Sequence, residues 1–71
     1  MISIYFECAG SRKHLGDYDT DKEARRAALE AIEKEFHFTP KYFRGWLSER
    51  NPNEEYCDFG SWSTYVVYAR K

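Results

Sequence analysis

Aliphatic residues are scarce: the 71-residue chain holds three leucines, three isoleucines and two valines. A core built only from them would be too thin, so the 13 aromatic residues must do much of the burying, at roughly 150–250 Å² each. No window approaches the ~18 apolar residues of a membrane span, and the N-terminus MISIYFECAG has no positive segment followed by a long apolar run. The expectation is a soluble cytoplasmic protein. Cysteine is limited to Cys8 and Cys57, which fits reduced thiols in that compartment, with a single interstrand bridge as the alternative. Charge of one sign is missing too: 11 basic and 12 acidic residues in mixed order leave a net charge of -1, without the basic block on which nonspecific polyanion binding depends.

One domain over residues 1–71 follows from length alone, because a fold this small buries only about 60% of its unfolded surface and has nothing left for a second core. Residues 2–8, ISIYFEC, alternate with Ile2, Ile4, Phe6 and Cys8 on one side and Ser3, Tyr5 and Glu7 on the other, the pattern of a half-buried strand. Gly10 and Ser11 mark a turn, and Lys13 to Tyr18 a return strand. Thr20-Asp21-Lys22-Glu23 forms a capping box, in which the Thr20 hydroxyl accepts from the Glu23 N–H and the Glu23 carboxylate reaches back to the Thr20 N–H. Ala24, Ala28, Leu29, Ala31, Ile32 and Phe36 then recur as one helical stripe, which Pro40 ends. Residues 42–49 and 56–70 read as strands of a second hairpin around Asn51-Pro52-Asn53, and Gly60 as a kink at the entry of the last strand. The expected fold is α+β in two layers: hairpin, helix, hairpin, with an antiparallel sheet of about four strands and the helix on one face.

The stretch HLGDYDTDKEARRAALEA resembles the strand-to-helix junction of the plant ethylene-response-type DNA-binding domain and of the arm-binding domain of phage integrases, and more loosely that of sporulation-related peptidoglycan-binding domains. The resemblance covers about 18 residues and implies a strand packed against a capped helix. Those DNA-binding families carry Arg- and Trp-rich strands before the junction, whereas here the preceding strand is the acidic and apolar ISIYFEC. The ending Asp58-Phe59-Gly60-Ser61-Trp62 is similar to that of small phage and mobile-element proteins, a resemblance that implies an accessory role and no catalytic residue.

Catalytic and metal-binding patterns are weak throughout. Cys8, His14, His37 and Cys57 have no close cysteine pair to start a tetrahedral metal site, and no third group to orient a Cys-His nucleophile. Arg12 and Lys13 lie between Gly10 and Gly16 without the Gly-Lys-Ser/Thr element of a phosphate loop, and read as a solvated hairpin tip. The Asp-Phe-Gly within CDFGSW lacks the catalytic loop and lid that give it meaning in kinases. Asp58 and Gly60 read instead as an Asx-type turn. Glu54, Glu55 and Asp58 have little room for the cleft that paired carboxylates require. We therefore expect no enzyme, no cofactor and no metal.

The positive signal is a row of rings. On strand 42–49, Tyr42, Arg44 and Trp46 share one side, expected to be the open face of the sheet, while Phe43, Gly45 and Leu47 are expected to face the helix. Trp62 is expected beside that row. Tyr, Trp and Arg are the types enriched in interface hot spots. The expected function is a noncatalytic module that binds a protein partner through this face or a sheet edge, with Tyr42, Arg44, Trp46 and Trp62 as the contact residues. The alternatives are a small nucleic-acid-binding module with phosphate contacts from Arg12 and Lys13, and a homodimer.

Overall fold

The computed structural model describes residues 1–61 and 63–70 and contains five strands and one helix. Strands β1 (Ile2–Cys8) and β2 (Ser11–Tyr18) form the first hairpin, α1 (Asp21–Phe36) follows, and β3 (Arg44–Leu47), β4 (Glu54–Asp58) and β5 (Thr64–Arg70) complete the chain. The sheet has the order β2-β1-β5-β4-β3 and is antiparallel at every step. Both layers of the α+β expectation are present, with five strands in place of four. The expected strand 56–70 is divided between β4, which ends at Asp58, and β5, which begins at Thr64, and the expected strand 42–49 is confined to Arg44–Leu47.

Each boundary has a local cause. Ala9 and Gly10 both take positive φ, 51° and 82°, between the paired Cys8 and Ser11, which is the two-residue loop whose twist matches the flanking strands. The turn thus lies one residue earlier than Gly10-Ser11. The Thr20 hydroxyl accepts from the Glu23 N–H at 3.2 Å, as the capping box requires. The Glu23 carboxylate accepts from the Thr20 hydroxyl at 2.9 Å, not from the expected Thr20 N–H. At the other end His37 takes left-handed φ of 62° and donates its N–H to the Glu33 carbonyl, so it caps the helix through its backbone. Asp58 Oδ1 accepts from the Gly60 N–H at 2.9 Å, and Gly60 has φ of 95°, an Asx turn that ends β4.

The helix packs over β1 and β2, burying Ala24, Ala28 and Ile32 against Ile2, Ile4 and Phe6. Ala24 and Ala28 let the helix approach the sheet closely, and Ile32 and the rings fill the remaining space. Phe59, just past β4, is the hub: its centroid lies 5.7 Å from Phe36, 6.2 Å from Phe38 and 6.2 Å from Phe6. The 37–43 segment continues the cover toward the far side of the sheet, where Phe43 stacks on Tyr68 at 6.1 Å. The cover stops before β3. Leu47 shares the helix-side register with Gly45 but is 64% exposed, contrary to the expectation that it faces α1, because α1 does not extend over that edge.

Candidate functional site

The face of the sheet without the helix is only partly open. Val67 and Ser3 point to it and are nevertheless fully buried. Arg12 on β2 explains part of this. Its Nε donates to Glu7 Oε1 at 2.6 Å, and Nη1 and Nη2 donate to the two Glu54 oxygens at 2.8 Å each. Nη2 also donates to the Tyr56 hydroxyl at 3.0 Å, and that hydroxyl donates to Glu7 at 3.3 Å. Because Glu54 is on β4, the arginine crosses β1 and β5, and its guanidinium lies 5.7 Å from the Tyr5 ring and 6.0 Å from the Tyr56 ring. Arg12 is therefore a strut and not the solvated hairpin tip of the sequence reading. Four of its five N–H donors are engaged, which leaves little for a phosphate. The hydrogen bonds from Arg12 hold the Glu54 carboxyl below its ordinary range against the opposing effect of burial. The same bonds, accepted by Glu54 and Glu7, hold Arg12 above its own. Lys13 lies on the helix side of β2 and pairs with Glu35 at 3.6 Å.

Beyond this strut the face becomes aromatic. Trp46 stacks on Tyr56 with centroids 6.2 Å apart and meets Tyr65 edge-on at 5.5 Å, and it remains 47% exposed. A groove of about 470 Å³ runs beside these rings, bounded also by Leu47, Arg50 and Glu7. Register places Arg44 on the same face, opposite Asp58. Its guanidinium, however, sits 4.8 Å from the Tyr42 ring. Tyr42 precedes β3 and lines a different groove, against α1, so the expected row is broken at its first member. Trp62, the fourth expected contact residue, lies outside the described residues. Tyr56 and Tyr65 take the places beside Trp46. The alternation of Glu54 and Tyr56 against Glu55 and Cys57 carried that signal, once β4 is recognised as a separate strand.

β3 is an edge strand, and its backbone orientation follows from one bond. The Ser48 N–H donates to the Glu54 carbonyl, in register with the Trp46–Tyr56 and Arg44–Asp58 pairs. By the alternation of an antiparallel ladder, Arg44, Trp46 and Ser48 turn their N–H and C=O groups to β4, and Gly45 and Leu47 turn theirs outward. The opposite edge, β2, is protected by Arg12, Lys13 and a bulge at Leu15, where the register between Ile4–Gly16 and Tyr5–His14 skips one residue.

Cys57, Glu54, Glu55 and Asp58 are each buried or engaged within the fold. Cys57 is buried, and desolvation first, then the charge of Glu55, pushes its thiol up to about 12, so it stays a protonated and weak nucleophile. Cys8 and Cys57 are both free. They belong to β1 and β4, with β5 between and opposite different residues of it, Thr64 and Val66, so they are more than about 9 Å apart by strand spacing and beyond the reach of a disulfide. Glu54 is engaged by Arg12, Glu55 pairs with Arg70 at 3.0 Å, and Asp58 holds its turn. Among the described residues no cluster of three or more His, Cys, Asp or Glu side chains is placed to hold a metal ion, and no helix is long and apolar enough to cross a membrane. Comparison with protein-family models, curated proteins and solved structures gives no match for this chain.

Proposed function

We propose that the protein is a noncatalytic binding module that engages a protein partner through the Trp46 face and the free edge of β3. The observation that carries this reading is the coincidence, on one edge strand, of two exposed apolar side chains on opposite faces, Trp46 and Leu47, with outward backbone groups at Gly45 and Leu47. A partner strand laid along β3 would satisfy those backbone groups while its side chains meet the rings of Trp46, Tyr56 and Tyr65 on one face. The engaged state of Arg12 argues for a protein partner over nucleic acid. The same free edge favours a second reading, pairing of β3 with β3 of another copy, which sizing chromatography over a concentration series reads directly.

The test is capture from cell lysate, with and without nuclease, comparing the wild type with the double variant Trp46→Ala, Leu47→Ser. Both side chains are largely exposed, and the far-UV circular dichroism of the variant, expected to match wild type, checks that the fold is kept. Capture of a protein that survives nuclease and is lost in the variant supports the reading. Capture abolished by nuclease, or unchanged in the variant, contradicts it.

A further inference from the structure

A second groove, of about 440 Å³, lies on the opposite side of the molecule, between the outer face of α1 and residues 39–43. Its floor is Leu29, Pro40 and Phe43, all half-buried. Leu29 belongs to the apolar stripe of the helix yet does not join the buried core, so its side chain serves this groove and not the sheet. Lys22, Arg25 and Arg26 rise from the first two turns of α1, and Lys41 stands on the other wall. The Arg25 guanidinium rests 5.4 Å from the Phe43 ring. Among the described residues Arg12, Lys13 and Arg70 make ion pairs with carboxylates, whereas Lys22, Arg25, Arg26 and Lys41 make none. Glu30 and Glu33 close the other end of the groove.

We infer that this groove binds an acidic linear peptide, whose carboxylates pair with Arg25, Arg26 and Lys41 and whose apolar side chain rests on Leu29 and Phe43. Charge complementarity names the occupant. Four cations without carboxylates of their own surround an apolar floor, and arginine presents a planar fork suited to carboxylates. Glu30 and Glu33 interrupt the positive track after two helical turns, which suits a short acidic motif and opposes a continuous phosphate backbone. The cationic walls are exposed and the floor is only half-buried, so the groove is too shallow to enclose a free small molecule, whose sites bury most of the ligand. A side chain presented by an extended chain needs no such enclosure. The inference is independent of the β3 face.

The test is selection from a random dodecapeptide display library on the immobilised full chain, followed by titration of the enriched synthetic peptide into isotope-labelled protein. The expected result is enrichment of sequences combining Asp or Glu with one Phe, Leu or Trp, amide shifts at Leu29, Lys41 and Phe43, and affinity that falls with added salt. The Arg25→Glu, Arg26→Glu variant loses tenfold or more, and the milder Arg26→Gln, Lys41→Gln variant at least threefold, while Trp46→Ala binds within twofold of wild type. Absence of enrichment, a consensus without acidic residues, binding to oligonucleotides that competes with the peptide and exceeds it, or shifts confined to the Trp46 face would each overturn the inference.

Discussion

Arg12 and Glu54 hold one another by two hydrogen bonds of 2.8 Å although two strands lie between them. The pair spans three strand spacings, about 14 Å of sheet, and joins the first hairpin to the last. With Glu7 and Tyr56 it forms a polar roof on a face whose central residue, Val67, is fully buried.

Arg12→Met should destabilise the protein by about 1–3 kcal/mol, between the values for exposed and buried pairs, because Glu7 and Glu54 are then left close together without their cation. A double-mutant cycle with Glu54→Gln, read by chemical denaturation, should give a favourable coupling energy; zero coupling would make the roof ornamental. The pH dependence has a definite sign. The folded Glu54 carboxyl is depressed, so its contribution is present above the ordinary carboxylate range and is lost as pH falls through that range and below. The wild type should lose more stability than Glu54→Gln between about pH 5 and pH 3.

The first turn carries a removable strain. Ala9 has a φ of 51°, a region that costs an alanine on the order of 1 kcal/mol and that asparagine tolerates. Ala9→Asn should raise stability by about 0.5–1 kcal/mol in thermal or denaturant unfolding. A loss of stability would show that the loop is not the positive-φ pair described above.

Two buried rings should respond in opposite ways. Phe59 is the centre of the Phe6, Phe36 and Phe38 cluster, and Phe59→Ala should cost about 3–5 kcal/mol, enough to unfold much of a domain of this size. Tyr68 is also buried, but its hydroxyl has no hydrogen-bond partner among the described residues. Removing an unsatisfied hydroxyl relieves a desolvation cost, so Tyr68→Phe should be neutral or stabilising by up to about 1 kcal/mol.

The thiols should separate by reactivity. At pH 8 a thiol reagent should modify the exposed Cys8 quickly and Cys57 only as fast as the protein opens. Because the folded Cys57 thiol is raised to about 12, its contribution is full below the ordinary thiol range and is lost as pH rises above about 8.5 toward that value. Cys57→Ala should therefore flatten the stability profile between about pH 9 and pH 11 relative to wild type. An unchanged slope would place the thiol elsewhere than in the core.

What the sequence disclosed was local. Alternation in ISIYFEC, the Thr20 cap and the Ala24–Phe36 stripe each act within a few residues, and β1, α1 and their packing follow directly. The division of residues 56–70 was hidden because EEYCD and TYVVYAR are both strand-like, and Phe59 between them reads as one more strand aromatic. Its burial depends on Phe36 and Phe38 arriving from the end of the helix, which no local pattern contains. The candidate face was half legible for the same reason. Arg44 and Trp46 share a side by period two, but the company of Trp46 depends on β4 and β5 lying beside β3 in the order observed. Arg12 was misplaced because its partners are 5 and 42 residues away in sequence.

The claim that β3 is a docking edge is tested most directly by amide hydrogen exchange at Gly45 and Leu47, alone and with a captured partner. The N–H groups of both point away from β4, so they should exchange rapidly in the free protein while that of Trp46 is protected. In the complex both should slow by at least tenfold, together with perturbation of the Trp46 side chain. Rapid exchange of Gly45 and Leu47 that persists in a complex whose formation nevertheless requires this protein would contradict the account.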